Sequence, residues 1–193
     1  MRITGGRARG IQINAPKGPE TRPATDQMRE AVFSSLGPRI NGSKIADLFA
    51  GTGAYGLEAL SRGASHGLFV ENSSEVVTCL RRNLDAVAKS CELKAESLKN
   101  WTILAQKVYA LNSTYGPFDI VFVDPPYAMI ETKLASIFQE NIAPITAPDG
   151  LVCFEMPGAL QLELQGWTCI RRLGKTGKDK PSVAFYQRAE SSL

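Results

Sequence analysis

Short apolar runs alternate with stretches of helical periodicity along most of this chain, and that alternation narrows the possible folds more than any other feature. Ile45–Ala50, Gly67–Glu71, Phe118–Asp124 and Leu151–Met156 are apolar almost throughout, with Trp101–Ala105 a weaker fifth run. Strands without polar alternation are buried on both faces, as in a parallel sheet covered by helices. Between them lie Tyr55–Arg62, closed by Gly63, then Ser74–Ala88 with Val76, Val77, Leu80, Leu84 and Val87 on one stripe, and Glu131–Asn141. Each has helical spacing. An earlier helix is predicted from Asp26 to about Leu36, capped by Thr25, with Asp26 in the first turn where the helix dipole favours an acid. Met28, Ala31, Val32 and Leu36 form its stripe, and Gly37-Pro38 ends it. Trp167–Leu173 and Ser182–Arg188 read as an antiparallel pair around a polar, Gly/Lys-rich turn. The expected fold is α/β, a mostly parallel sheet with helices on both faces and an antiparallel hairpin near its C-terminus. The first 24 residues, with Ile3, Ile11 and Ile13 around Gly5–Gly10, read as a small basic hairpin or arm ahead of a core over 25–193.

A chain of 193 residues, 44% hydrophobic and 21% charged, suits one globular domain with a sizeable core. No apolar run approaches the roughly 18 residues of a membrane span, and the N-terminus has no apolar signal core. The protein is therefore expected in the cytoplasm. The four cysteines form no C-x-x-C pair and have no histidine near them, so neither a zinc site nor a disulfide framework is expected. His66 is the one histidine and sits at a strand end, which makes histidine general-base chemistry a weak option. Charge is uneven. Residues 1–44 carry eight Lys/Arg against three acids, 45–165 carry eight against fourteen, and 166–188 carry six against one. If the basic ends meet in space they form one positive face, suited to a phosphate backbone.

The first chemical signal is the strand-to-helix junction Asp47-Leu48-Phe49-Ala50-Gly51-Thr52-Gly53-Ala54-Tyr55-Gly56. Gly51-x-Gly53-x-x-Gly56 fits a nucleotide-binding turn: the first glycine turns the chain, the second admits a ligand, the third lets helix and strand pack closely. No Gly-Lys-Ser/Thr follows, so it is not a P-loop. Glu71, followed by Asn72, ends the next strand twenty residues after Gly51, where an acid can accept both ribose hydroxyls of a nucleoside. Asp47, inside an apolar strand, has two readings. It faces the cationic end of S-adenosylmethionine, or it steadies the turn.

The most specific signal is Asp124-Pro125-Pro126-Tyr127 directly after a continuous apolar strand. Two prolines lock the exit from the strand and offer no N–H. The Asp124 carboxylate and the Pro125 carbonyl can then accept the two hydrogens of a base amine, aiming its lone pair at a methyl group. Tyr127 can stack on a flipped base.

These residues resemble the bacterial small-subunit ribosomal RNA guanine-N2 methyltransferases of the RsmD type. The resemblance covers nearly the whole chain: Met1-Arg2-Ile3 with Gly6-x-x-Arg9-Gly10, Thr21-Arg22-Pro23-x-Thr25-Asp26-x-x-Arg29-Glu30-Ala31-Val32-Phe33, Asp47–Gly56, Leu57–Ala64, Val70-Glu71, Val123–Tyr127 and Phe185-Tyr186. It implies a Rossmann-like class I methyltransferase with a seven-stranded sheet and S-adenosyl-L-methionine as cofactor. Asp47, Phe49, Ala50, Gly51, Thr52, Gly53, Gly56, Glu71, Asn72 and Thr25 would hold that cofactor. The implied substrate is one guanine of 16S ribosomal RNA in the small subunit or an assembly intermediate. Arg22 and Arg29 would lie on the RNA side, Arg7 and Arg9 would grip phosphates, and the enzyme would act as a monomer. The family usually has an acidic or polar residue after the third strand, near the adenine. Here Gln106-Lys107 takes that place, or Glu96 if Cys91–Asn100 is not an insertion. Competing readings are a DNA adenine-N6 methyltransferase, for which the chain has little room to carry a target-recognition region, a non-catalytic RNA-binding ribosome-assembly factor, and more distantly a hydride-transfer enzyme.

Overall fold

A computed structural model describes residues 1–16, 25–130, 133–177 and 180–189, with the side chains of Tyr127 and Ala128 outside that set. In chain order the main elements are α1 (Asp26–Leu36), β1 (Lys44–Leu48), α2 (Ala54–Ser61), β2 (His66–Glu71), α3 (Ser74–Ser90), α4 (Ala95–Leu98), β3 (Trp101–Ala105), β4 (Phe118–Val123), α5 (Tyr127–Ile130), α6 (Leu134–Ile137), β5 (Thr146–Pro157), β6 (Trp167–Gly174) and β7 (Pro181–Arg188). One seven-stranded sheet runs β3-β2-β1-β4-β5-β7-β6. The first five strands in that order pair in parallel, and β7 joins β5 and β6 antiparallel. The order reverses between β1 and β4, the place where open α/β sheets hold their ligands. Among the described residues no helix is long and apolar enough to cross a membrane.

The pleat divides the core. Ile45, Ile120, Phe122, Cys153 and Phe185 face the layer built from α1, α2, α3 and the N-terminal hairpin. Ala46, Leu48, Val121, Val123, Phe154 and Tyr186 face the α6 side. Continuing that alternation puts Asp47 on β1, Asp124 just beyond β4 and Glu155 on β5 on the α2 side, at the C-terminal edge of the sheet.

The expected helix over Glu131–Asn141 is broken up. α5 begins earlier, and α6 passes at Phe138–Ile142 into a wide π turn and then a 3-10 turn at Ala143–Ile145. The wide turn lets buried Asn141 donate through Nδ2 to the carbonyls of Tyr109 and Leu111, at 3.2 and 2.8 Å. β5 also begins five residues before its apolar run, at Thr146, with a register shift against β4 between Phe118 and Ile120.

The N-terminal hairpin is clamped to the core. Arg2 bridges Gln12, Ile3 N–H donates to Ile11 O at 2.9 Å, and Ile3, Ala8 and Ile13 are buried. Buried Glu58 on α2 accepts from Thr4 N, Thr4 Oγ1 and Gly5 N, each at 2.8 Å, and from Arg62 Nε at 2.8 Å and Arg29 Nε at 3.3 Å. Gly6, with φ +77°, passes so close to α2 that a Cβ there would stand 2.0 Å from Ser61 O. α1 packs against the edge strand β6, with Met28 beside Gly174. Arg172 and Arg188 are spent there on backbone carbonyls, whereas Arg171, Lys175 and Lys180 are exposed.

Candidate active site

Beyond Leu48 the chain turns sharply: Phe49, Gly51 and Gly53 all have positive φ, 60°, 52° and 91°. Ala50 N–H still pairs with Val70 O at 2.9 Å, which anchors the turn to β2. Buried Asp47 accepts through Oδ2 from Gly56 N at 2.8 Å, satisfying one of the first-turn donors that α2 leaves without a helical partner. That bond steadies the turn, and Oδ1 has no described donor, so both readings of Asp47 stay compatible with the geometry. Burial pushes the Asp47 carboxyl up to about 7, the Gly56 hydrogen bond pulls the other way, and Glu71 adds repulsion.

The glycines divide the work differently from expectation. Space lies open where a Gly51 side chain would project, so a ligand can approach there. A Cβ on Gly53 would stand 2.4 Å from Leu80 Cδ1, so α3 packs directly against that face of the turn. A Cβ on Gly56 would stand 2.2 Å from Phe69 Cε1, in agreement with its expected helix-to-strand packing. Half-buried Glu71 accepts from Gly51 N at 3.0 Å and Ser73 N at 2.8 Å, one bond on each oxygen. Lone pairs remain on both oxygens for ribose hydroxyls. Asn72 beside it is exposed, and Thr25 Oγ1 accepts from Met28 N at 3.2 Å as the α1 cap.

Asn83, on the buried stripe of α3, went unnoticed in the sequence. Its Nδ2 donates to Thr52 O and to Asn14 O, both at 3.0 Å, and its Oδ1 accepts from Asn14 N at 3.0 Å. One amide thus ties the end of the hairpin to the glycine turn.

At the end of β4, Asp124 N–H reaches Leu48 O at 3.4 Å, which places Asp124 beside the turn after β1. Pro126 O accepts from Met129 N at 2.9 Å to begin α5, while the buried Pro125 has no described donor to its carbonyl. Next to Asp124 on the neighbouring strand is Glu155, since Val123 pairs with Phe154. Its Oε2 accepts from Tyr55 Oη at 2.8 Å, and the Tyr55 ring stacks on Phe122, centroids 5.1 Å apart. Burial pushes Asp124 well above the usual carboxylate range, and Glu155 and Asp47 push it further. Burial also raises Glu155, against the Tyr55 hydrogen bond and the charge of Arg29. Burial, with both acids nearby, drives the Tyr55 hydroxyl up as well. Glu155 and Tyr55 escaped the sequence reading; the available signal was a single acid inside the apolar run Leu151–Met156.

Three expectations are corrected or fall elsewhere. Arg29, assigned to the RNA side, is fully buried; it pairs with Asp26 at 2.9 Å and Glu58 at 3.3 Å and donates to Arg2 O, so its guanidinium is closed to a phosphate. Glu96 lies on α4 at the start of β3, at the opposite edge of the sheet from Glu71, and pairs with Lys99. Gln106 follows Ala105, the β3 residue paired with Glu71, and its buried Nε2 has no hydrogen-bond partner among the described residues. Arg22 and the Tyr127 side chain lie outside the described residues. Arg7 and Arg9 are exposed, with Arg7 reaching Glu92 at 4.0 Å.

These residues fit S-adenosylmethionine. Asp47 and Asp124 are largely buried carboxyls without an ion pair among the described residues, and the cofactor carries a sulfonium and an ammonium. Glu71 has capacity for ribose, and Gln106 has an unpaired amide for a ring nitrogen. Fold and site together define a class I methyltransferase whose cofactor is S-adenosylmethionine. The family described as Conserved hypothetical protein 95 matches residues 1–187, and the chain belongs to it. It is similar to the ribosomal RNA small subunit methyltransferase D of Haemophilus influenzae, 34% identical over 142 residues, 73% of this chain and 72% of that one. It is likewise similar to the protein of that name from Escherichia coli, 40% identical over 127 residues, 66% of this chain and 60% of that one. The solved Escherichia coli structure of yhhF matches with a TM-score of 0.76 at 31% identity and 97% coverage of both chains. A Thermus thermophilus structure gives 0.75 at 29% identity, covering 97% of this chain and 99% of the other.

Proposed function

We propose that this protein transfers a methyl group from S-adenosylmethionine to the exocyclic N2 amine of one guanine in 16S ribosomal RNA, acting as a cytoplasmic monomer on the small subunit or an assembly intermediate. The observation that carries the reading is the pairing of the Asp124 carboxyl with a Pro125 carbonyl that has no described donor, at the strand end beside the glycine turn. The relatives' names point to small-subunit ribosomal RNA.

When bound, the cofactor supplies an electrophilic methyl group on a positively charged sulfur. Asp47 and the glycine turn would hold its amino-acid end, Glu71 its ribose and Gln106 its adenine. Asp124 and Pro125 O accept the two amine hydrogens and turn the nitrogen lone pair towards the methyl. Asp124 accepts most strongly, and can take up a proton, only as a carboxylate, and a cation beside it favours that form over the protonated one that burial favours. As the N–C bond forms, the methyl's bond to sulfur would break and leave its electron pair on the neutral thioether product, and the nitrogen would carry one proton too many. Asp124, a carboxylate with raised proton affinity, is placed to take it. Exposed Arg7 and Arg9 on the hairpin meet RNA phosphates.

The test is incubation with labelled S-adenosylmethionine and small subunits from cells lacking the endogenous activity, followed by nucleoside analysis. N2-methylguanosine is expected. Label in duplex DNA as N6-methyladenine would instead support the adenine reading. RNA binding without cofactor binding would support the assembly factor.

A further inference from the structure

Glu155 has no task in the transfer as described. It is 7% exposed on β5, next in register to Asp124, and of the neighbouring charges it acts most strongly on Asp124. The Tyr55 hydroxyl holds Oε2 at 2.8 Å, and among the described residues nothing donates to Oε1. Its lone pairs are therefore available to a donor on a ligand. The ligand expected at Asp124 is a purine with a 2-amine, and the atom next to that amine on the ring edge is N1. Guanine carries a hydrogen on N1, whereas adenine presents a lone pair there. With Asp124 taking the amine, an acceptor one strand further along the sheet edge meets the N1 edge.

We propose that Glu155 is the specificity-determining residue for guanine, its Oε1 accepting the N1–H of the target base while Tyr55 holds the other oxygen. This rests on the guanine-N2 reading above. Burial raises the Glu155 carboxyl, and the donating Tyr55 hydroxyl and the Arg29 charge pull it back towards the ionised acceptor form. An ionised Glu155 repels the N1 lone pair of adenine, so the same residue that selects guanine rejects the base of the adenine-N6 reading.

The test uses 2-aminopurine, which keeps the 2-amine but has a lone pair in place of N1–H. Ribosomal RNA carrying guanine or 2-aminopurine at the modified nucleotide is ligated, assembled into small subunits and offered to wild type and Glu155→Gln. Wild type is expected to prefer guanine in kcat/KM by roughly ten- to hundredfold. In Glu155→Gln, whose amide can donate to a bare N1, that preference should collapse or invert, with cofactor affinity unchanged. Equal use of both bases by wild type would overturn the proposal even if the variant failed to fold. An unchanged preference in a folded Glu155→Gln would overturn it too, while leaving guanine-N2 transfer intact. No wild-type transfer to any guanine would bring down the function reading first and this proposal with it.

Discussion

Asp124 sits beside two buried acids, and this crowding gives its titration a direction. Its carboxyl is raised by burial, Glu155 and Asp47, so the carboxylate, the stronger acceptor and the form able to take up a proton, grows as pH rises. The transfer rate at saturating cofactor is expected to climb with pH, and a pH–rate profile checks it. Asp124→Asn, which keeps the volume but loses the carboxylate, should cost roughly a hundred- to ten-thousandfold in kcat with the thermal midpoint unchanged or higher. Near-normal turnover would remove Asp124 from the chemistry. Asp47 gives a stability prediction. Its folded value, about 7, lies above the ordinary 3.8, so its contribution is fully present below 3.8 and is lost as pH rises through about 7. Wild type should therefore lose stability between about pH 4 and pH 7, by up to about 1.4 kcal/mol per pH unit. Asp47→Asn, which can still accept from Gly56 N–H, should lose less over that interval in urea titrations at the two pH values. The motif Asp47–Gly56 was legible as a cofactor turn, yet the division among its glycines was not, because Leu80 fills the Gly53 face from a helix far along the chain.

Helix α2 is the element on which the molecule converges. It covers β1 and β2, begins at the glycine turn, and presents Glu58 to five donors from the hairpin, α1 and the residue just past its own last turn. Glu58→Ala would leave Arg29 buried without that partner, which costs about 3–5 kcal/mol for a broken buried pair. Equilibrium unfolding should show the loss, and hydrogen exchange should locate it in residues 1–13. A loss confined to α2 with the hairpin still protected would contradict the clamp. Gly56→Ala presses a methyl onto Phe69 and should cost about 1–3 kcal/mol. The sequence marked α2 as a helix with a family-like Leu57-Glu58-Ala59 run, but an acid in an amphipathic pattern ordinarily faces water. Only the approach of Thr4, Gly5 and Arg29 makes it a buried hub.

For the molecule as a whole, α1 lies against β6, while the exposed Arg7 and Arg9 sit on the hairpin beside the end of α2. Neutralising Arg7 and Arg9 together should weaken RNA binding and reduce the dependence of log K on log salt by about 0.7–0.9 for every phosphate no longer neutralised. Filter binding across a potassium chloride series measures it, and an unchanged slope would take the hairpin out of the interface. Apolar runs, helical stripes and the two motifs were enough to write the α/β order, the antiparallel end and the strand ends that carry chemistry, since periodicity and turn chemistry are local properties of a chain. Whether an arginine such as Arg29 meets a phosphate or a buried carboxylate, and which strand puts an acid beside Asp124, are non-local facts. They follow from strand order and register, which bring Glu155 and Tyr55, a hundred residues apart, to one hydrogen bond at the sheet's edge.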